Sequence, residues 1–196
     1  MTPGVGRAFV WRTLEIEGLE LARVEIDGTR LRATGRAIRA EPEPYVLTYE
    51  LETAGSFVTT RLSAVAELGG GTKTLDLVRR EDGVWTANGQ EAVSGGGLDG
   101  SLDCDLGLSP LTNTMPILRH GLHRGGGPID FVMAWVSVPD LTVHVSGQRY
   151  TFIRAGGDRS VVRYEGRHRE YVGDIEVDAD GFVLHYPELA TRVATA

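Results

Sequence analysis

The sequence predicts an all-β fold: a single-domain, barrel-like roll of many short, mostly antiparallel strands with little helix. Three observations carry that prediction. Apolar and polar residues alternate through much of the chain, which is the period of a half-buried strand. Clusters of Gly, Asn and Asp punctuate those runs at short intervals. No long stretch shows the apolar period of an amphipathic helix. A length of 196 residues suits one domain over 1–196 with a core of its own.

The elements follow in chain order. In LELARVEID the apolar residues fall first on odd positions (Leu19, Leu21) and then on even ones (Val24, Ile26). That phase slip predicts a β-bulge. AEPEP at 40–44 reads as a strand connection. In YVLTYELET, Tyr45, Leu47, Tyr49 and Leu51 share one face, and in VTTRLSAVAEL Val58, Thr60, Leu62, Ala64, Ala66 and Leu68 do the same. EDG at 81–83, NG at 88–89 and DADG at 178–181 are hairpin turns, because these pairs tolerate positive φ. The GGG triplets at 69–71, 95–97 and 125–127 are loops outside any phosphate-binding pattern. IDFVMAWVSV at 129–138 is apolar on both faces, so a strand covered on both sides is expected through the middle of the fold. LTVHVSGQRYTFI reads as two strands about Ser146-Gly147, and DIEVD with FVLHYP as the last hairpin. A helical turn or two is expected only around Thr112–His120.

Composition narrows the function. The formal net charge is -7, so a basic footprint for nucleic acid is absent and no nucleic-acid partner is expected. Lys73 is the single lysine; the other basic residues are scattered arginines. Cys104 is the single cysteine, which excludes an internal disulfide and fits a reducing compartment. MTPGVGRAFVW lacks the charged and apolar regions of a signal peptide, and no apolar run approaches the roughly 20 residues of a bilayer span. A cytoplasmic protein without a transmembrane segment is the expectation.

The chemistry concentrates in LDCDLGLSPLTNTMPILR at 102–119. Strand alternation puts Asp103 and Asp105 on one face, roughly 6.5–7 Å apart, and Cys104 on the apolar face as inert packing. Two such carboxylates raise each other's pKa unless a cation sits between them, and Arg119 is a fitting counter-charge. The alternatives are an ion pair closing a loop and a ligand site. Thr112, Asn113 and Thr114, between Pro110 and Pro116, can hold an irregular loop through their own backbone or form the polar rim of a pocket. His120 and His123 read as surface histidines, and His144 as pointing outward from a strand. No third ligand accompanies the acid pair, so no metal is expected. No nucleophile elbow occurs, and no cofactor is expected. Trp11, Tyr49, Trp85, Trp135, Tyr150 and Tyr186 fall in or near strands, as core or as the aromatic side of a pocket.

LDGSLDCDLGLSPLTNTMPILRHGL closely resembles the signature of the bacterial Putative glycolipid-binding family, formerly a domain of unknown function. The matching positions are Asp99, Gly100, Asp103, Asp105, Pro110, Thr112, Asn113, Thr114, Pro116 and Arg119. YELET, VWTANG, AWVSVPDL, QRYTF and DADGFVLHYPEL extend the likeness over nearly the whole chain. Ser101 and Ser109 depart from it, standing where cysteine and threonine are usual. The resemblance implies an all-β, barrel-like roll likened to carriers of lipidated molecules. It implies a lipid or glycolipid-like ligand, with acyl chains in an apolar barrel cavity. Asp103, Asp105, Thr112, Asn113, Thr114 and Arg119 would then form the polar rim, and the six aromatics the apolar lining. Catalysis is not expected. The alternatives are an enzyme using the Asp pair as acid and base on a sugar-like substrate, and a structural or partner-binding β module.

Overall fold

The computed structural model describes residues 6–167 and 170–196; residues 1–5, on which part of the reading of the N-terminus rests, lie outside them. Alternation builds the first half. β1 (Gly6–Thr13), β2 (Gly18–Asp27), β3 (Arg30–Arg39), β4 (Tyr45–Thr53), β5 (Thr59–Leu68) and β6 (Gly71–Arg79) form an antiparallel meander. β3 exposes and buries its residues in strict turn. β4 turns Tyr45, Leu47, Tyr49 and Leu51 inward and Thr48, Glu50 and Glu52 outward. β7 (Trp85–Ala87) and β8 (Gln90–Glu91) extend that edge.

The second half starts at the opposite edge. β9 (Asp103–Leu106) runs parallel to β10 (Ile129–Val136). Between them Pro110–Asn113 forms a 3-10 turn that leads into α1 (Thr114–His120). Gly121 ends the helix at φ 63, in the left-handed region that glycine adopts without cost. β11 (Val143–Gly156), β12 (Arg159–Gly166), β13 (Tyr171–Asp178), β14 (Val183–Tyr186) and β15 (Ala190–Thr195) follow in antiparallel order, and β15 pairs with β1. The result is one 15-stranded sheet that rolls up without closing. The β9 edge is pinned across the gap by single bonds: Thr59 N donates to Leu102 O (2.9 Å), and Arg79 Nε and Trp85 Nε1 donate to Ser101 O (2.8 and 3.2 Å).

Two cores result, with β9 and β10 between them. Cys104, Leu106, Ala134 and Val136 join Leu47, Leu51, Leu62 and Leu77 of the meander. Met133 joins Tyr150, Val162, Ile175, Val177 and Ile117 of α1 in the second. The side of β9 that carries the aspartates therefore turns toward protein, with Asp103 buried and Asp105 half-buried.

Several expectations need correction. β2 has no bulge: its pairing with β1 and β3 is continuous, and Leu19 and Leu21 face outward while Glu20 takes the inward position. β10 neighbours the edge strand instead of crossing the middle, and only its C-terminal half is covered on both faces. Residues 143–156 form one long strand, with Gly147 paired to Val132 inside it. The hairpin of β13 and β14 exists, but β15 follows it. His120 is exposed as read, whereas His123 is buried beyond the helix end, because Gly121 reverses the chain there. His144 is exposed as read. No helix among the described residues is long and apolar enough to cross a membrane.

Candidate functional site

The register places Asp103 opposite Met133 and Asp105 opposite Trp135, on one face as the alternation requires. Their partners differ. Asp103 is buried and ion-paired to the Arg119 guanidinium at the end of α1. Burial pushes its carboxyl up to about 6, against the opposing pull of Arg119, and the nearby Asp105 charge adds to the rise. Asp105 accepts from Gln148 Nε2 (2.6 Å) and Thr112 Oγ1 (3.0 Å). Tyr150 OH donates to Asn113 Oδ1 (2.8 Å) and lies 3.2 Å from Gln148 Oε1. Asp105, Thr112, Gln148, Tyr150 and Asn113 thus form one hydrogen-bonded chain, buried but for the half-buried Asp105. Burial first, then the Asp105 charge, raises the Tyr150 hydroxyl well above its ordinary value.

One end of that chain opens into a cleft of about 240 Å³. Asp105 and Asn113 form part of its lining. Tyr164, Tyr171 and Tyr186 make one wall, with ring centroids 5.7–6.0 Å apart, and Trp135 lines it from β10. Glu15 and Ile16 of the β1–β2 turn and Pro187–Leu189 of the β14–β15 turn form the lip. Tyr171 OH donates to Pro187 O (2.8 Å) and ties wall to lip.

A second buried network holds the opposite edge. Ser109 Oγ and Tyr49 OH donate to Glu20 Oε1 (2.6 and 2.7 Å). Arg39 Nη2 reaches Glu20 Oε2 (3.4 Å) and Leu108 O (3.2 Å). Burial raises the Glu20 carboxyl, while Ser109 and the Arg39 charge pull it down. Leu108 sits at φ 60, a left-handed conformation that a branched side chain resists. The Arg39 bond to its carbonyl holds it there, next to Ser109 in the cleft lining.

Of the residues singled out from sequence, Asp105, Asn113, Trp135 and Tyr186 line the cleft. Thr112 and Tyr150 stand one hydrogen bond behind it. Asp103 and Arg119 form a separate buried pair, so Arg119 does not bridge both acids. Thr114 is fully buried at the start of α1. Trp11, Tyr49 and Trp85 belong to the first core, where Trp11 Nε1 donates to Val183 O (2.9 Å). Cys104 is buried, and burial pushes its thiol far up, in keeping with inert packing. Sequence reasoning missed Tyr164, Tyr171, Glu15 and Glu188 in the cleft and Glu20, Arg39 and Gln148 behind it. Glu20 had a signal: it is in phase with Ala22, Val24 and Ile26. No group of three or more His, Cys, Asp or Glu among the described residues could hold a metal ion.

A sequence model of the family described as "Putative glycolipid-binding" matches residues 8–192. The chain is also similar to the crystal structure of a DUF1089 family protein from Pseudomonas aeruginosa, with a TM-score of 0.71 and 26% identity over 89% of this chain and 92% of that one. No curated protein matches the chain in sequence.

Proposed function

Because this chain belongs to the Putative glycolipid-binding family, we propose that it binds the head group of a lipid or glycolipid-like amphiphile in the cleft beside Asp105 and Asn113, without chemistry on it. The observation that carries this reading is a pair of oriented polar groups in an aromatic-walled cleft. Rings pack on the apolar faces of a ligand while a few fixed polar groups set its orientation. Thr112, Gln148 and Tyr150 hold Asp105 and Asn113 in place, so little ordering remains to be done on binding.

Size limits the guest. The cleft volume of about 240 Å³ exceeds that of a ~150 Å³ cavity able to admit benzene, so one ring-sized group fits. Phe9, Trp11 and Tyr49, each at most 1% exposed, pack in the core of the roll where the resemblance implied acyl chains. In this proposal the apolar tail leaves over Ile16 and Leu189 at the lip. An acid–base pair is less well supported, since Asp103 turns to Arg119 and does not line the cleft with Asp105.

Titration with n-octyl β-glucoside below its micellar concentration tests the reading through tryptophan fluorescence. Trp135 is half-buried in the cleft wall, whereas Trp11 and Trp85 are buried elsewhere. A saturable change is expected, lost in Trp135→Phe. Asp105→Asn should weaken binding by about tenfold or more, since a hydrogen bond to a charged group contributes ~1.5–3 kcal/mol. No saturable change, or one that survives Trp135→Phe, would overturn it.

A further inference from the structure

A second pocket of about 330 Å³ lies at the other end of α1 and shares no described lining residue with the cleft. Val24 and Ile26 of β2, Phe57 of the β4–β5 connection, Leu118 of α1 and Phe182 make its apolar floor. Val24, Phe57 and Phe182 are buried, whereas Ile26 and Leu118 are half-buried on the margin of the first core.

The rim is charged. Arg7 Nη1 pairs with Asp180 Oδ2 (2.6 Å), and its guanidinium carbon lies 6.0 Å from the centre of the Phe182 ring. The one acid of the described lining is thereby neutralised. Arg124, exposed just past the turn that ends α1, has no carboxylate partner among the described residues. Residues 1–5 and 168–169 include no Asp or Glu, so they supply none either. The rim therefore carries an uncompensated positive charge. His123 lines the pocket beside it, is 6% exposed, and has no hydrogen-bond partner on either ring nitrogen among the described residues. Burial, then the Arg124 charge, holds this imidazole below its ordinary value, against smaller pulls from the Ile117 backbone, Asp178 and Asp180. It is neutral at pH 7 and keeps one N–H to donate.

We infer that this pocket takes a single-chain carboxylate amphiphile, with the chain over Ile26 and Phe182 and the carboxylate on Arg124. It is a second site and does not rest on the reading of the cleft. A guanidinium fork holds a carboxylate through two hydrogen bonds. A neutral chain of the same length gains only the apolar contact, and a cationic one meets Arg124 and Arg7. The volume of about 330 Å³ is roughly twice the ~150 Å³ that admits benzene, so a chain of about eight carbons fits. The net charge of -7 opposes an anion at long range, so the discrimination comes from contact at the rim.

Octanoate and 1-octanol share a chain and differ in charge, which makes them the matched pair for a test. Each is titrated at neutral pH, with the methyl chemical shifts of Ile26 and Leu118 as the readout. Octanoate should move both signals saturably and bind about tenfold tighter than 1-octanol. Arg124→Gln, at an exposed site, should bring the two affinities toward parity and leave that of 1-octanol unchanged. Ile26→Trp should fill the pocket and abolish both, with an unchanged circular dichroism spectrum showing that the sheet is intact. Equal affinities in the parent, or a preference for octanoate that survives Arg124→Gln, would overturn the charge assignment. Binding that persists in folded Ile26→Trp, or no shift at Ile26 and Leu118 in the parent, would overturn the site itself. The glucoside titration at Trp135 reads the cleft separately, so neither result decides the other.

Discussion

The two halves of the sheet bury different material. From β2 to β6 the inward face is almost entirely apolar, with Ala22, Val24, Leu31, Leu47, Leu51 and Leu62 packed together, Glu20 and Arg39 as the charged exceptions, and Arg39 Nε buried without a hydrogen-bond partner. From β9 to β11 the inward face carries Asp103, Asp105, Ser146 and Gln148 beside Met133 and Tyr150. A dry half holds shape through close packing and tolerates few vacancies. A polar half holds shape only while its donors and acceptors stay paired. Some there are not: Thr114 Oγ1, Arg119 Nε and Nη1, and both His123 ring nitrogens are buried without hydrogen-bond partners. All belong to α1 or the turn just after it. The molecule thus sets a well-packed scaffold against a less fully satisfied region, and the cleft opens from the second.

The largest effect should break the polar half. Arg119→Ala leaves the Asp103 carboxylate buried beside Met133 without its cation, and a loss of about 3–5 kcal/mol at pH 7 is expected in urea denaturation. A loss under 1 kcal/mol would mean the pair contributes little. Leu62→Ala tests the dry half and should cost about 2–5 kcal/mol through the cavity it leaves. The two variants should part company with pH. Asp103 has a folded pKa raised to about 6, above its unfolded value, so the folded state holds a proton that the unfolded state has released. Stability from this group is therefore greatest below the ordinary aspartate range and falls as pH rises toward 6, by at most about 1.4 kcal/mol per pH unit. Glu20 is raised as well and adds a slope of the same sign. Subtracting the Asp103→Asn profile isolates the Asp103 share. A difference profile flat from pH 4 to about 6 would contradict it. At pH 5 the Arg119→Ala penalty should shrink, because Asp103 is then largely neutral, while the Leu62→Ala penalty should not. The smallest effect belongs to the outer face. Ile38 is 60% exposed on β3, so Ile38→Thr should stay within about 0.5 kcal/mol of the parent by thermal melting.

Legibility followed the same division. The faces of β4, the hairpin turns and the short helix around Thr112–His120 could be read directly, because each depends on residues adjacent in the chain. The shared face of Asp103 and Asp105 was readable for that reason. Their separate fates were not, since Arg119 and Gln148 arrive from α1 and β11. The slip in β2 was visible but read as a bulge. A charged residue in the core looks like a phase error until Arg39, Tyr49 and Ser109 are seen around it. Tyr164 and Tyr171 gave no signal, because a tyrosine on a strand looks alike whether it faces a core or a cleft.

By itself the chain's order of residues determined the all-β class, the inward face of β4, the hairpin turns and the short helix, along with a negative net charge. Only the tertiary structure decided that β9 would lie parallel to β10, that one aspartate would be sealed against Arg119 while the other lined a cleft, and that three tyrosines from three strands would meet beside it. The reason is physical. Alternation is a local property of an extended backbone, whereas convergence at a site depends on pairings between segments far apart in the chain, chosen by the packing of the whole sheet.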